Sequence, residues 1–164
     1  MKTLIIYYSN SGKTHLVAKT LAVNLNVDMV RINDLKNRDG FKNRLLSSIN
    51  ALRETKTDIV PAKLNLNEYD IIYFGTPIWA GNPTPAILTI IDRCDLRRKD
   101  VILFATMNSN HGEANIKRLE EKVKTRGARV IESFTLKTQN KSSEKIIMDT
   151  ETMIEILDLK MYKG

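Results

Sequence analysis

A short polar segment near the amino terminus has the residue types and spacing that could hold a phosphate group. It follows an apolar run at residues 4–8, precedes a helical stretch, and includes one glycine, Gly12. The first backbone N–H groups of a helix lack partners within the helix and carry the positive end of its dipole, so anions bind there. Glycine also lets the backbone approach a ligand closely. The residues that would surround the phosphate are Ser9, Asn10, Ser11, Gly12, Lys13 and Thr14.

The ending Gly12-Lys13-Thr14 is that of a nucleotide-binding P-loop, but the rest of the segment does not match. A P-loop has a glycine five residues before its second glycine, and Tyr7 stands at that position. The apolar run at residues 71–74 also has no metal-binding aspartate at its end. A phosphate monoester without a metal ion therefore agrees better with these residues. The alternative is an ordinary polar turn that caps the helix.

A second loop, residues 75–83, follows the most apolar run and contains the chain's single tryptophan, Trp79. Its ring can stack on a planar ligand, although it could instead pack against the neighbouring helix. Gly81 and Asn82 are candidates for a peptide that can turn over. The residues that would line the ligand on this side are Thr76, Pro77, Ile78, Trp79, Ala80 and Gly81.

A third loop, residues 106–112, offers hydroxyl, amide and backbone groups that could bind the polar edge of a ring system. His111 lies in this loop, but the sequence places no acid partner or nucleophile near it. We therefore expect it to be a solvated loop residue or a helix-terminal residue rather than a catalytic one. The candidate ligand residues here are Thr106, Met107, Asn108, Ser109 and Asn110.

Alternating strands and helices must position these loops. Short apolar runs predict five strands, at residues 4–8, 28–32, 70–75, 101–105 and 129–136, and helical spacing of apolar residues predicts a helix after each. The helices are marked by Val17, Leu21 and Leu25; by Phe41, Leu45, Ile49 and Leu52; by residues 83–94; by Ile116, Leu119 and Val123; and by residues 146–159.

These elements predict one α/β domain over residues 1–164. Strands joined by helices through short connections pair in parallel with right-handed crossovers. The first, third and fourth strands are almost entirely apolar, as is typical of strands covered on both faces, whereas Arg31 and Glu132 mark the second and fifth as edges. The fold class is therefore a three-layer doubly wound sandwich with a five-stranded parallel sheet of order 2-1-3-4-5. A ligand crevice is expected beyond the carboxyl ends of strands one and three.

Charge and composition exclude several classes of protein. The 26 Lys and Arg against 19 Asp and Glu give a net charge of +7, but this charge is spread along the chain without a nucleic-acid-binding motif. No apolar run approaches the roughly 20 residues that span a bilayer, and the first one is too short for a secretory signal. We therefore expect a cytoplasmic protein that binds neither nucleic acid nor membrane. The single cysteine, Cys94, excludes a disulfide framework, and its spacing from apolar neighbours predicts a buried thiol.

The loops and the order of the elements resemble those of the flavodoxin family over nearly the whole chain. Residues 9–14 match the family's Ser/Thr-x-Ser/Thr-Gly-x-Thr phosphate loop, and residues 69–81, YDIIYFGTPIWAG, resemble its GTPIW-type loop. The resemblance implies a non-covalently bound FMN. Its phosphate would be held by Ser9, Ser11, Gly12, Lys13 and Thr14, its isoalloxazine by residues 76–81 with Trp79 stacked on it, and its pyrimidine edge by residues 106–110. In flavodoxins a peptide beyond the stacking region can turn a carbonyl toward N5 of the reduced flavin, which here corresponds to Ala80-Gly81 or Gly81-Asn82.

The resemblance implies a carrier that shuttles electrons through FMN to a redox partner protein, either as a monomer or as a homodimer. The third loop lacks the tyrosine that covers the flavin in typical flavodoxins and the Gly-Gly run of relatives with the GTPIW loop. An FMN-dependent NAD(P)H or quinone oxidoreductase and a flavodoxin-fold module that has lost flavin therefore remain alternatives. Flavodoxins are generally acidic, whereas this chain carries +7, so an acidic partner, or an enzymatic role with no protein partner, is expected.

Overall fold

The computed structural model describes residues 1–36, 57–108 and 112–163. The strands in these ranges are β1 (Thr3–Tyr8), β2 (Asp28–Asp34), β3 (Ile59–Val60), β4 (Ile71–Trp79), β5 (Asn82–Pro83), β6 (Asp100–Met107) and β7 (Arg129–Lys137). The helices are α1 (Lys13–Leu25), α2 (Pro85–Arg93), α3 (Gly112–Thr125) and α4 (Ser143–Ile156), followed by a short 3-10 helix, Leu159–Tyr162.

Five long strands pair in parallel in the order β2-β1-β4-β6-β7, which confirms the predicted order 2-1-3-4-5. The three apolar strands lie side by side, with Ile5 opposite Tyr73 and Tyr73 opposite Ile102. β2 and β7 are largely exposed or half-buried, as their charged residues predicted. Because the strands are parallel, the carboxyl ends of β1, β4 and β6 lie at one edge of the sheet and bring the loops that follow them together.

Two hydrophobic clusters on opposite faces of the sheet form the core. Ile5 belongs to the cluster that contains Leu21 of α1 and Ile154 of α4. Ile6, the next residue of β1, belongs to the cluster that contains Leu119 of α3 and the apolar side of α2. Successive side chains of a strand point to opposite faces, so helices cover the sheet on both sides. The predicted three-layer sandwich is therefore confirmed.

The predicted count of five strands is wrong, because two short antiparallel strands are added to the sheet. β3 pairs with the end of β2, where Asn33 is opposite Val60. β5 pairs with the end of β4, where Trp79 is opposite Asn82. Each added strand has only two residues, which is too short to give a periodic hydrophobic signal in the sequence.

β4 also continues beyond its predicted end at Gly75. Glycine and proline are typical strand breakers, so Gly75 and Pro77 favoured a loop in the sequence. In the structure Thr76 and Pro77 still pair with β6, and Ile78 pairs back onto β5. All of the predicted second loop except Ala80 and Gly81 is therefore strand, which fixes its backbone more firmly than a loop would.

The remaining elements agree with the sequence except at the carboxyl terminus. α4 ends at Ile156 because Asp158 has a left-handed φ of 48°, whereas the apolar pattern predicted a helix to residue 159. Cys94 follows α2 directly and is buried, as predicted. The predicted helix at Phe41, Leu45, Ile49 and Leu52 lies outside the described residues. Within residues 1–36, 57–108 and 112–163, no helix is long and apolar enough to cross a membrane.

Candidate functional site

Side-chain contacts join the predicted loops at the carboxyl edge of the sheet. The hydroxyls of Thr14 and Thr106 share a hydrogen bond of 2.8 Å, which links the first loop to the end of β6. The rings of Tyr8 and Trp79 meet edge to face, with centroids 5.7 Å apart and planes at 84°, which links the end of β1 to the second loop. The structure therefore brings together parts of all three loops that the sequence singled out.

The first loop leaves the amino end of α1 open for an anion. Gly12 is the N-cap of α1 at a left-handed φ of 89°, and it provides no side-chain cap. The Gly12 N–H donates to Ser9 Oγ over 3.2 Å, and the first turn of α1 contains no acidic residue. Asn10 and Ser11 are exposed, whereas Ser9 is buried. The dipole of α1 is thus not offset by a local negative charge, which favours anion binding at this terminus.

Lys13 and Thr14, which were expected to hold the phosphate, also connect the loop to other elements. The Lys13 ammonium donates to the Thr138 carbonyl over 3.0 Å, just beyond the end of β7. The Thr14 hydroxyl bonds to Thr106 as described above, and both threonines are buried. These contacts fix the first turn of α1 against the carboxyl edge of the sheet. Direct contact of either side chain with a ligand stays a prediction.

The second loop is a tight hairpin between β4 and β5. Its two central residues, Ala80 and Gly81, have φ values of 46° and 77°. Two positive φ values in succession are the conformation of a type I′ turn, which matches the twist of a two-residue hairpin. Both residues are exposed, and Trp79 beside them is half-buried. The predicted stacking residue therefore stands next to an exposed turn.

Thr76, also assigned to the second loop, faces inward. Its hydroxyl shares a hydrogen bond of 2.9 Å with the Thr84 hydroxyl and accepts from the Thr84 N–H over 3.2 Å. Both threonines are completely buried. Thr76 thus joins the two ends of the loop, while Pro77 and Ile78, which follow it, are partly exposed.

The third loop is described only at its start. Thr106 and Met107 are the last residues of β6 and are buried, and Asn108 after them is exposed. The Met107 carbonyl accepts from the Thr138 N–H over 2.9 Å, which joins the ends of β6 and β7. Ser109, Asn110 and His111 lie outside the described residues, so their predicted roles stay predictions.

Sequence reasoning missed two interactions beside the first loop. The Arg31 guanidinium donates to the Ser9 carbonyl over 2.9 Å, from the neighbouring strand β2. The Tyr7 hydroxyl and His15 Nδ1 share a hydrogen bond of 2.5 Å. Burial raises the pKa of the Tyr7 hydroxyl, against a smaller effect of the Arg31 charge, so the phenol stays neutral at physiological pH. The sequence offered one signal for the role of Arg31, because it is a charged residue within the apolar pattern of β2.

A third missed interaction holds the hairpin. The Asn82 Nδ2 donates to the Ala80 carbonyl over 2.9 Å, and the Arg118 guanidinium donates to Asn82 Oδ1. Asn82 is only 2% exposed although it lies beside an exposed turn. The hairpin is therefore attached to α3 through polar side chains.

The sequence model of the flavodoxin family matches residues 2–151. The chain belongs to the flavodoxin family. The match covers both the phosphate-loop segment and the hairpin, so the two loops on which the resemblance rested lie within the family's own sequence pattern.

Individual proteins are similar to this chain over most of its length. An uncharacterized protein of Methanocaldococcus jannaschii is 27% identical over 139 residues, which make up 84% of this chain and 75% of that protein. A flavoprotein of Lactobacillus acidophilus, solved in complex with FMN, has a TM-score of 0.71 and 26% identity, over 82% of this chain and 92% of that one. Oxidised flavodoxin 1 of Bacillus cereus has a TM-score of 0.56 and 20% identity, over 94% and 98% of the two chains, and shares the fold.

Proposed function

We propose that this flavodoxin-family chain binds FMN non-covalently and transfers electrons through it. The observation that carries the proposal is the open amino end of α1 behind Gly12, at the same edge of the sheet as Trp79. A bare helix terminus suits a phosphate monoester, and an aromatic ring nearby suits a planar heterocycle. The FMN complex of the Lactobacillus acidophilus flavoprotein supports the same cofactor.

The residues of the first loop suit a phosphate group, and there is open space beside Gly12. A Cβ built on Gly12 meets no heavy atom within 4 Å, so the space that a side chain would occupy at this position is open. Exposed Asn10 and Ser11 can donate to phosphate oxygens, together with the first N–H groups of α1. Trp79 is half-buried against Tyr8, so its ring is oriented before the ligand arrives.

Each group of residues has a separate task in this proposal. The backbone of the first loop binds the phosphate, Trp79 orients the ring system, and the exposed hairpin at Ala80 and Gly81 lies beside it. The flavin itself supplies the one- and two-electron chemistry, while the protein controls its reduction potentials through stacking and hydrogen bonds. Buried Thr14 and Thr76 keep the loops in register through their bonds to Thr106 and Thr84.

A titration of the apo protein with FMN tests the cofactor assignment. We expect the bound ligand to show the visible absorption of oxidised flavin and quenched fluorescence. Ser11→Asp should weaken binding by at least about tenfold, since unit charges about 4 Å apart near a surface interact by about 4 kcal/mol at an effective dielectric of 20. The loss should shrink as salt is added. Asn67→Asp is the matched control, because it adds the same charge at an exposed position before β4, at the opposite end of the strands.

The outcomes separate the three functions that the sequence left open. A colourless protein that binds no FMN would overturn the proposal and favour a module that has lost flavin. Steady-state oxidation of NAD(P)H by a quinone, without an added reductase, would instead favour an FMN-dependent oxidoreductase. Unchanged FMN affinity in Ser11→Asp would refute the phosphate-loop assignment while leaving the cofactor in place.

We also propose an acidic redox partner protein. The chain carries +7, and three cations are attached to the site loops: Lys13 at Thr138, Arg31 at Ser9 and Arg118 at Asn82. Positive charge around the site speeds encounter with a negatively charged surface, and salt screens this attraction. Electron transfer to a candidate partner should therefore slow as ionic strength rises, and a rate independent of salt would contradict the proposal. Cytoplasmic location, the monomer or homodimer state and the exclusion of nucleic acid and membrane stay predictions.

A further inference from the structure

Four cationic side chains surround a cavity that the proposed function does not use. The cavity has a volume of about 540 Å³, and its described lining includes Lys63, Arg93, Arg97 and Arg126, with Asp95 as its one acidic residue. We refer to it as the basic cavity. Sites for small molecules usually have volumes of roughly 300–1,000 Å³, so a ligand of that class has room here.

The basic cavity lies at the edge of the sheet opposite the loops that follow β1, β4 and β6. Arg93 ends α2 and Arg126 directly follows α3. Helices that connect parallel strands run back along the sheet, so their carboxyl ends lie where the strands begin. β6 has eight residues, which at about 3.3 Å per residue puts about 23 Å between the two edges. The basic cavity is therefore separate from the candidate FMN site.

The acidic residue of the basic cavity is already paired. The Arg97 guanidinium donates to both oxygens of Asp95, over 2.9 Å from Nε to Oδ1 and over 2.6 Å from Nη2 to Oδ2. These hydrogen bonds lower the pKa of the Asp95 carboxyl, which therefore stays ionised and bound to Arg97. Three cations remain that this carboxylate does not hold.

Neutral carbonyl groups orient two of these three cations. Arg93 donates to the Ala62 carbonyl and Arg126 to the Cys94 carbonyl, each over 3.3 Å. Across residues 1–36, 57–108 and 112–163, neither guanidinium group forms an ion pair, and the Lys63 ammonium forms neither an ion pair nor a hydrogen bond. A guanidinium has five N–H donors, so each arginine is held by one bond and keeps donors for an anion.

Helix dipoles reduce the positive charge of the basic cavity without cancelling it. The carboxyl ends of α2 and α3 each carry about half a negative charge. Together with Asp95 they offset about two of the four positive charges, which leaves the basic cavity at about +2. This balance suits an anion with two or more negative charges.

A second cavity adjoins the first and has a different lining. Its volume is about 560 Å³, it shares Lys63 and Asp95 with the basic cavity, and residues 64–67 complete its described lining. Asn65 and Asn67 are exposed, and their amides can donate and accept hydrogen bonds. Leu64 beside them is half-buried and offers an apolar contact. An organic group with hydrogen-bonding atoms suits this second cavity.

We propose that the basic cavity binds the diphosphate of a small organic molecule, whose organic part lies in the adjoining cavity. Lys63, Arg93 and Arg126 hold the diphosphate through charge-assisted hydrogen bonds. Nucleic acids are bound by cations spread along a face or a helix, whereas these cations surround one cavity. A nucleoside diphosphate has both of the required parts. The proposal does not depend on whether FMN binds at the other edge.

Calorimetric titration of the whole chain with ADP and with inorganic pyrophosphate tests the basic cavity. In about 0.15 M salt, where exposed charges more than about 8 Å apart are largely screened, we expect each ligand to bind once per chain and to displace the other. Lys63→Gln and Arg126→Gln should each weaken both ligands by about tenfold, because each removes a charge-assisted hydrogen bond. Lys19→Gln is the matched control, since it removes the same charge from an exposed position on α1, and it should change neither affinity by more than about twofold.

A further substitution tests the adjoining cavity. Asn65→Ala should weaken ADP by about threefold and leave pyrophosphate unchanged, because only ADP has an organic part to contact the amide. Equal affinities of wild type for ADP and pyrophosphate, together with no effect of Asn65→Ala, would overturn the role of this second cavity.

Three results would overturn the diphosphate site itself. These are the absence of ADP and pyrophosphate binding, affinities that neither Lys63→Gln nor Arg126→Gln lowers, and an equal loss in Lys19→Gln. Binding of a DNA oligonucleotide or an acidic peptide without binding of ADP would also contradict it. Displacement of pyrophosphate by FMN would assign the anion to the first loop instead. Failure of FMN to bind, with ADP binding intact, would overturn the proposed function and support this second site.

Discussion

Replacing Gly75 with alanine should destabilise the protein, because the added methyl group has no room in the core. A Cβ built on Gly75 lies 2.0 Å from Cζ of the Phe104 ring and 2.4 Å from its Cε2. Carbon atoms in contact are about 3.5–4.0 Å apart, so the ring must retreat by about 1.5 Å. Phe104 is completely buried and stacks on Phe134, with ring centroids 5.9 Å apart, which limits where it can go.

Two opposing effects decide the size of the loss. Overpacking a well-packed core costs about 1–3 kcal/mol. Alanine in place of glycine lowers the entropy of the unfolded chain and returns about 0.4–1 kcal/mol. The cost of overpacking exceeds the entropic gain, so we expect Gly75→Ala to lower the free energy of unfolding by about 1.5 kcal/mol. For a chain of this size a change of 1 kcal/mol shifts Tm by roughly 2–4 °C, which gives a fall of about 3–6 °C.

Thermal and urea unfolding of four proteins tests this reasoning. Besides wild type and Gly75→Ala, the set includes Phe104→Leu and the double variant. Phe104→Leu alone leaves a void, whereas in the double variant the new methyl group fills part of it. The double variant should therefore be more stable than the sum of the single losses predicts, by about 0.5–3 kcal/mol, as is usual for contacting residues. A Gly75→Ala protein as stable as wild type, or strictly additive losses, would refute the argument.

Three further predictions concern stability and reactivity away from the site. Among the described residues, the Tyr73 hydroxyl is buried without a hydrogen-bond partner, so Tyr73→Phe should raise the urea midpoint by relieving about 1–3 kcal/mol of desolvation; a lower midpoint would contradict this. Cys94 is buried, and burial raises the pKa of its thiol. An aromatic disulfide reagent at pH 8 should therefore label Cys94 slowly in the native protein and rapidly in denaturant. Equal labelling rates would show an exposed thiol. Hydrogen bonds from Lys141 and Lys145 lower the pKa of Asp149. The carboxylate therefore stabilises the fold above the ordinary aspartate pKa, and this contribution is lost as the pH falls through the pKa of the folded state. Asp149→Asn should lower the free energy of unfolding by up to about 1 kcal/mol at pH 7 and leave it unchanged at strongly acidic pH.

The strand order was predictable because its signals are local. Continuous apolar runs marked β1, β4 and β6 as central, and single charged residues such as Arg31 and Glu132 marked the outer strands. Once the order is known, parallel pairing places the three loops at one edge without further information. The location of the candidate site therefore followed from strand composition and from the topology of parallel sheets.

The internal contacts of the site were not predictable in the same way. Lys13 and Thr138 are 125 residues apart in sequence, and Asn82 and Arg118 are 36 apart, so no spacing rule connects them. The hairpin gave only a partial turn signal, because Gly81 suits a type I′ turn but Ala80 stands where asparagine, aspartate or glycine usually stands. These interactions depend on how α3 and the end of β7 pack against the loops, which only the folded chain determines.

The residues of the first loop divide into two sets with different physical roles. Lys13 and Thr14 bond to Thr138 and Thr106, and these contacts hold the start of α1 in place. Asn10 and Ser11 are exposed and stand in front of that helix terminus. Substitution of Thr14 should therefore change ligand affinity mainly through the position of α1, whereas a charge at Ser11 acts directly on the phosphate. Salt separates the two cases, because screening weakens the effect of a charge but not that of a displaced backbone.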